Sequence, residues 1–237
     1  MSYNNGPKII TEGLEYMFDP ALKKCYDSGT SYNNLVISNN IDGEFNVTPT
    51  VDYTDARGAV DFSAATNHME ADVGIFNANR VDFTWSFWMK RTAALPASFH
   101  EFFLCYTRTG SNDFIAIFNA ITIGIYVNET LYMVSTDVST ILDLDEWVNI
   151  TFVINLSSDR YFIYKNGVLL FTRTGVTQSI PSQTGFNTIT LFGDRDSSTD
   201  YNQEYTGKFS VVKFYSRILN QSEIKQNFNA LKGRFGY

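Results

Sequence analysis

The chain has 237 residues and a formal net charge of −7, with 44% hydrophobic and 16% aromatic residues. This composition excludes a disordered chain and favours a β-sandwich or barrel whose core is filled with aromatic rings. Because the balance is acidic and no cluster of Lys and Arg occurs, we expect neither nucleic acid nor a membrane surface as a partner.

The beginning of the chain is polar and lacks the apolar core of a signal peptide. No stretch approaches the ~18 apolar residues of a membrane span. We therefore expect a protein made in a cytoplasm and not secreted by a signal peptide. The two distant cysteines, Cys25 and Cys105, are expected to be free, buried thiols. The predicted organisation is a flexible arm over residues 1–8, one domain over residues 9–231, and a tail over residues 232–237.

Short strands separated by turns are predicted through the first half of the chain. Residues 35–58 carry several turn signals, among them Asp42-Gly43, so we expect a loop-like segment with short extended pieces near 35–37 and 45–47. The strands predicted in this half cover residues 14–18, 59–62, 68–71, 83–90, 101–106, 114–118, 122–127 and 131–134.

Two stretches have the clearest strand pattern, because apolar residues alternate in them with period two. In residues 83–90 one face carries Phe83, Trp85, Phe87 and Met89, and Trp88 lies on the other face. In the strand that begins at Trp147 the apolar face carries Val148, Ile150, Phe152 and Ile154. Each apolar face needs a second layer to cover it.

The strand at Trp147 opens a predicted antiparallel meander. A polar turn at residues 156–160 leads to a strand over 161–165. Asn166-Gly167 then predicts a type I′ hairpin turn, because both central residues of that turn need positive φ. A third strand over residues 168–174 follows.

The last part of the chain contains two further strands, over residues 188–192 and 208–215, separated by a polar loop. A helix is predicted over residues 221–231, with Asn220 or Ser222 as N-cap and Gly233 as the stop signal. The sequence thus predicts about a dozen strands and one helix, with turn signals every 8–12 residues or so, which is typical of an antiparallel sandwich.

The order of these segments resembles the concanavalin A-like lectin/glucanase superfamily in its laminin-G-like jelly-roll branch. The stretches FTWSFWMK at 83–90, WVNITF at 147–152 with FIYKNGV at 162–168, and GKFSVVKFY at 207–215 are similar to strands of that family. The resemblance implies an all-β fold, namely a two-sheet antiparallel jelly-roll sandwich with one short C-terminal helix.

The two ends are similar to a subgroup of that branch found in structural proteins of tailed bacteriophages. Residues 13–30 resemble its opening, and residues 227–237, NFNALKGRFGY, resemble its ending. Tyr32 and Asn34 stand where the subgroup has Trp and Asp, which argues against a metal site in that loop. The resemblance implies a virion structural protein, such as a capsid-decorating or head/tail-fibre subunit.

The sequence lacks the signals of a hydrolase. Glu70 and Asp72 match the first two carboxylates of the Glu-x-Asp-x-(x)-Glu strand of glucanases on this fold, but the third is missing. The chain has only two histidines, His68 and His100, and no Ser-His-Asp arrangement is legible. We therefore expect that the protein is not an enzyme, and glycoside hydrolase stays the third reading of its function.

The polar loop before the last strand offers candidate ligands for a cation and for a sugar. Carboxylates within eleven residues could surround Ca²⁺, which is the one cofactor candidate. This metal candidate comprises Asp194, Asp196, Asp200 and Glu204. The glycan candidate comprises Tyr201, Asn202, Gln203 and Tyr205. A second glycan candidate comprises Tyr106, Arg108, Asn112 and Asp113.

The ends of the chain are candidates for subunit assembly. Phe235 and Tyr237 could fold back onto their own core or dock on a neighbouring subunit, and Pro7 and Arg234 flank the same domain. The main functional hypothesis is a non-enzymatic virion structural protein, made in the host cytoplasm, that forms a dimer or trimer and binds a capsid or tail protein. An accessory role in weak adhesion to glycans is compatible with this hypothesis. The alternative hypothesis is a carbohydrate-binding lectin outside any virion.

Overall fold

The computed structural model describes residues 7–36, 42–45, 48–62, 68–72, 82–93, 101–108, 111–119, 122–127, 130–135, 141–177, 188–191 and 206–237. Within these ranges the chain forms sixteen strands and one α-helix. The strands are β1 Leu14–Phe18, β2 Ser31–Tyr32, β3 Gly43–Phe45, β4 Thr50–Asp52, β5 Ala59–Asp61, β6 Met69–Asp72, β7 Asp82–Arg91, β8 Glu101–Arg108, β9 Ser111–Asn119, β10 Thr122–Val127, β11 Thr130–Ser135, β12 Trp147–Asn155, β13 Arg160–Lys165, β14 Val168–Thr174, β15 Thr188–Leu191 and β16 Gly207–Tyr215. The helix α1 covers Gln221–Leu231.

The strands form two sheets of eight. Sheet A has the order β14-β13-β12-β7-β16-β5-β4, and β1 also pairs with β16. Sheet B has the order β11-β10-β9-β8-β15-β6-β3-β2. Every ladder pairing of the described strands is antiparallel. The predicted fold class, an antiparallel sandwich with one C-terminal helix, is confirmed.

The core lies between the sheets and is rich in aromatic rings. The predicted apolar faces of the two long strands of sheet A both point into it, because the period-two pattern places alternate side chains on one face. These inward residues are Phe83, Trp85, Phe87, Met89, Val148, Ile150, Phe152 and Ile154. Tyr16 and Tyr32 also lie in this core, where the Tyr16 hydroxyl donates to the Tyr32 hydroxyl at 3.0 Å.

The outer face of sheet A is buried as well. Trp88 and Trp147 on that face pack with Phe235 from the end of the chain, and Tyr215 packs with Ile224 of α1. Every residue of β12 except Asn155 is buried. The face that the sequence shows as mixed is therefore covered by the C-terminal segment.

The helix begins and ends where the sequence predicts. The Asn220 side chain accepts from the Glu223 backbone N–H at 3.1 Å, and the Glu223 carboxylate accepts from the Asn220 backbone N–H at 2.8 Å, which completes a capping box. The predicted role of Gly233 is wrong. The helix passes into a 3₁₀ turn over Lys232–Arg234, and its C-cap residue Lys232 keeps right-handed helical geometry, so no left-handed glycine ends it.

The predicted hairpin at Asn166-Gly167 is confirmed by positive φ at both residues, 53° and 77°. The turn also lies against the helix. A Cβ added at Gly167 would be 3.1 Å from the Lys225 Cα. The turn thus needs glycine for its backbone angle and for its close packing.

The first third of the chain contains more strand than the sequence indicates. Gly43, expected in a turn, begins β3 beneath the Tyr32 ring, and a Cβ there would collide with that ring. The predicted loops also contain β2 and β4, which are short strands that pair with the next strand along the chain, β3 and β5. The polar turn at 156–160 includes a 3₁₀ turn, Leu156–Ser158, with Asp159 at φ 54°.

Within the described ranges, no helix is long and apolar enough to cross a membrane.

Candidate functional site

The C-terminal end is held against its own domain by Arg234. The guanidinium donates to both carboxylate oxygens of Asp19, at 2.7 and 2.8 Å. It also donates to the carbonyls of Ala56 and Gly58 and to the Ser210 hydroxyl. Both members of the ion pair are nearly buried, with 12% and 8% of their side chains exposed. All the donor groups of Arg234 are therefore used within one chain.

The aromatic residues of the tail also pack against the same domain. The Phe235 ring stacks on Trp88 with centroids 3.9 Å apart and an interplanar angle of 7°. The Tyr237 hydroxyl donates to the Trp147 carbonyl and accepts from the Asn166 side chain at 3.0 Å. The structure thus shows the tail on its own core, while a contact of the tail with a second subunit stays a prediction.

The N-terminal segment lies on the helix α1. Pro7 is exposed. The Lys8 carbonyl accepts from the Gln226 side chain at 2.8 Å, and the Ile10 backbone N–H donates to the Asn227 side chain at 2.8 Å. Both ends of the described chain therefore meet at α1. The four predicted assembly residues lie around the C-terminal segment that covers the outer face of sheet A.

A network of charges lies over the outer face of sheet A, beneath the connection between β4 and β5. Asp55 is its centre. One carboxylate oxygen accepts from Lys90 at 2.8 Å and Lys208 at 3.1 Å, and the other accepts from the Trp147 indole N–H at 2.7 Å. Lys208 also donates to Asp52 at 2.9 Å. Two carboxylates and two ammonium groups thus neutralise one another.

The pKa values of this network reflect its hydrogen bonds. Hydrogen bonds from Thr54 and Lys208 hold the pKa of Asp52 well below its usual value. Partial burial acts to raise the pKa of Asp55, but hydrogen bonds from Lys90, Trp147 and Lys208 outweigh it and lower that pKa. The Asp52 and Asp55 carboxylates are consequently ionised at neutral pH.

The segment 52–58, here called the Tyr53 loop, rests on this network. Ala56, Arg57 and Gly58 have positive φ values of 47°, 59° and 148°. The first two are unusual for residues with a side chain. Arg234 donates to the carbonyls on both sides of Arg57 and so fixes this part of the loop. Tyr53 projects from the loop and is 52% exposed.

One buried cation stands apart from the paired charges. Lys213 lies on β16 beneath the C-terminal segment and is fully buried, and its amine has no hydrogen-bond partner among the described residues. Burial lowers the pKa of Lys213 to about 8. The amine has no access to solvent, so we assign it to the packing of the outer face.

The candidate residues of the loop before β16 lie outside the described residues. They are Asp194, Asp196, Asp200, Tyr201, Asn202, Gln203, Glu204 and Tyr205. The Ca²⁺ site and the glycan site predicted there stay predictions. In the second glycan candidate, the register pairs Tyr106 of β8 with Asp113 of β9, so these positions do meet at one end of sheet B.

The remaining candidates are the carboxylates of β6 and the two cysteines. The described residues contain no group of three His, Cys, Asp or Glu able to hold a metal ion. Glu70 and Asp72 lie on β6, and Glu70 is 3.3 Å from the His68 ring nitrogen. The Cys25 thiol is free and buried, as predicted, and burial raises its pKa to about 12, so it is unreactive. The Cys105 side chain lies outside the described part of the structure.

Sequence reasoning missed the Tyr53 loop and its charges. Asp52 and Asp55 stand in a segment that reads only as loop, and their partners are 35 to 156 residues away in the chain. The local signal that could have indicated these charges is the pair of Asp residues, Asp52 and Asp55, on either side of Tyr53-Thr54.

Two antiparallel sheets packed face to face, with one helix closing the outer face of sheet A, define a lectin-like jelly-roll sandwich. A laminin-G-type family profile of the concanavalin A-like lectin/glucanases superfamily matches residues 62–225. Because this match covers more than half of the chain, the protein belongs to that superfamily. No curated protein is significantly similar to the chain in sequence.

Solved structures with the same fold include proteins in complex with sugars. The binding domain of botulinum neurotoxin DC in complex with SialylT has a TM-score of 0.65 and 16% identity, with 92% of this chain and 52% of that chain covered. Trypanosoma rangeli sialidase in complex with sialic acid has a TM-score of 0.61 and 12% identity, with 97% and 35% covered. Domain 4 of AbnA, a GH43 extracellular arabinanase from Geobacillus stearothermophilus, in complex with arabinotriose, has a TM-score of 0.60 and 13% identity, with 91% and 98% covered.

The extent of these matches differs. The chain spans about a third of the sialidase and about half of the neurotoxin binding domain, but nearly the whole of domain 4 of the arabinanase. At these identities the similarity shows the fold alone.

Proposed function

We propose that the protein is a non-catalytic carbohydrate-binding module. The observation that carries this proposal is the match to domain 4 of the arabinanase, a domain of nearly the same extent that is solved with arabinotriose. The neurotoxin binding domain and the sialidase are two further proteins that contain this fold and are solved in complex with a sugar or sugar derivative, and this chain matches about half and about a third of them. The same fold hosts several functions, so the residues of this chain must carry the specificity.

Charged side chains on the outer face of sheet A serve the structure, because Asp52, Asp55, Lys90 and Lys208 pair with one another and Arg234 is bound by Asp19. A rigid sandwich with polar connecting loops is a suitable scaffold for recognition. We keep the predicted Ca²⁺ and glycan residues of the loop before β16 as part of this proposal.

The experiment is a glycan array with the purified full chain, followed by titration calorimetry of each positive glycan. We expect saturable binding to at least one oligosaccharide class and no cleavage of it. Repeating the titration with a chelator tests the Ca²⁺ candidate, since a Ca²⁺-dependent site loses its affinity and regains it when Ca²⁺ is restored. The variant Tyr201→Ala tests the predicted glycan loop. Absence of binding to every glycan, by a folded sample, refutes the proposal.

A second candidate function is a virion structural subunit, as the similarity of the two ends to tailed-bacteriophage proteins implies. One observation favours a shared role for these ends. Asp19 in the opening segment and Arg234 in the closing segment form the buried ion pair. On this proposal the protein is made in the host cytoplasm, forms a dimer or trimer, and binds a capsid or tail protein.

Mass spectrometry of purified particles tests the virion candidate. A stoichiometric number of copies per particle supports it, and absence from the particles refutes it. Light scattering of the purified chain separately tests the dimer or trimer, because a monomer at all concentrations contradicts that part of the proposal.

A further inference from the structure

Tyr53 differs from the other aromatic side chains that the structure describes. Among the aromatic residues whose side chains the structure describes, only Tyr53 and Tyr237 have more than half of their surface exposed, at 52% and 51%. The hydroxyl of Tyr237 is hydrogen-bonded, and its ring packs edge-on against Phe228 with centroids 5.5 Å apart. Within the described ranges, Tyr53 has no hydrogen bond and no ring–ring contact. Its ring is therefore free to meet a ligand.

The backbone that carries Tyr53 is fixed on both sides. The Asp52 carboxylate accepts from the backbone N–H groups of Thr54 and Asp55, at 2.9 and 3.2 Å. On the far side, Arg234 holds the carbonyls of Ala56 and Gly58. A ring on a fixed backbone loses little conformational entropy when a ligand binds, which favours affinity.

A second loop adjoins the Tyr53 loop and widens its surface. A Cβ added at Gly58 would be 2.8 Å from the Ala21 Cα, so the backbones of the two loops touch. Leu22 on the second loop is 39% exposed. The two adjoining loops therefore expose an aromatic ring, an aliphatic side chain and hydroxyl groups.

We propose that Tyr53 and the adjoining loop around Leu22 form a stacking subsite for a neutral oligosaccharide. A sugar ring has an apolar C–H face that packs on an aromatic ring and hydroxyls that need polar partners, which is the combination of an amphipathic binding site. Thr54 and Arg57 are exposed on the same loop and supply such partners. This inference rests on the proposed carbohydrate-binding function and names the part of the surface that performs it.

The charges around the subsite favour a neutral ligand. The four charges beneath the loop cancel in pairs, and the exposed Lys23 pairs with Asp27 on the second loop at 3.6 Å. Arg57 and Lys24 add two exposed cations on the two loops, but the chain as a whole carries −7 and so repels an acidic glycan. Binding is consequently expected to depend little on salt.

The test compares the wild type with Tyr53→Ala, Tyr53→Phe and Val168→Ala in titrations with the strongest neutral oligosaccharide of the array and with a sialylated one. Val168 is 63% exposed on β14, at the opposite edge of sheet A from β4, and serves as the matched control. All four proteins are first compared in thermal unfolding, where equal midpoints show that each is folded.

We expect Tyr53→Ala to weaken binding of the neutral oligosaccharide about tenfold or more, which corresponds to about 1.4 kcal/mol. Tyr53→Phe keeps the ring and should stay close to the wild type, and Val168→Ala should bind like the wild type. If the wild type binds and Tyr53→Ala binds equally well, the subsite is refuted while the proposed function stands. If the wild type binds only the sialylated glycan, the neutral specificity is refuted. If it binds no glycan, the proposed function and the subsite fail together.

Discussion

The substitution Arg234→Ala removes the side chain that joins the C-terminal end to three other parts of the domain. Its guanidinium bonds to Asp19 after β1, to the Tyr53 loop and to Ser210 of β16. Asp19, only 8% of whose side chain is exposed, then lacks its cationic partner. The carbonyls of Ala56 and Gly58 each lose a donor.

Breaking a buried ion pair by removing one partner typically costs about 3–5 kcal/mol, because a charge is left without compensation. For a chain of this size each kcal/mol lowers the melting temperature by about 2–4 °C, so we expect a decrease of roughly 6–20 °C. The conservative variant Arg234→Lys keeps the charge but cannot form the planar fork, and it should fall between the wild type and the alanine variant.

The assay is urea unfolding followed by tryptophan fluorescence, with thermal unfolding as a second measurement. Lys23→Ala is the control, because the Lys23–Asp27 pair is exposed on both sides and should change stability by no more than ~0.5 kcal/mol. A loss of less than ~1 kcal/mol in the free energy of unfolding of Arg234→Ala, together with an altered oligomeric state, would show that Arg234 serves subunit assembly and does not hold the C-terminal end against its own domain.

Three further predictions concern the outer face and the hairpin. Lys213→Met should raise the free energy of unfolding at pH 7, because burial lowers the folded-state pKa to about 8 from 10.5. The difference in free energy of unfolding between this variant and the wild type should shrink from about pH 8 upward, because there the unfolded amine still binds a proton and the folded amine does not. Urea titrations of both proteins at pH 7 and pH ~9.5 check this, and a difference that is the same at both pH values contradicts it. Gly167→Ala should cost more stability than the matched Gly175→Ala, since both have positive φ but only Gly167 packs against the helix, at 3.1 Å from the Lys225 Cα; equal melting temperatures of the two variants contradict the packing argument. Asp55→Asn should cost about 1–3 kcal/mol at pH 7. Because the folded-state pKa of Asp55 is lowered, this cost should begin to shrink below about pH 4 and should be lost as the pH falls through the folded-state pKa; a cost that does not change over this range shows that the charge is not the cause.

The parts of the fold that the sequence predicted depend on local patterns. Period-two alternation in β7 and β12 placed their apolar residues in the core, and Asn166-Gly167 marked its turn. Asn220 and Glu223 marked the start of the helix through a capping box. Each of these signals is contained in fewer than ten residues, so it can be read without knowing the tertiary contacts.

The parts that the sequence did not predict depend on contacts between distant residues. Asp19 and Arg234 are 215 residues apart, and Asp55 and Lys208 are 153 apart. No periodicity indicates that such residues will meet. The burial of the outer face has the same origin, because the sequence left open whether the tail that covers Trp88 folds back onto its own core or docks on a neighbouring subunit.

The measurement that tests the central claim most directly is the binding of the intact chain to a panel of glycans, with the bound sugar recovered and analysed for cleavage. The proposed function predicts saturable binding of a neutral oligosaccharide that is recovered unchanged, with weaker binding by Tyr53→Ala and not by Val168→Ala. A folded chain that binds no member of the panel, or that returns the oligosaccharide cleaved, would contradict the claim of a non-catalytic carbohydrate-binding module.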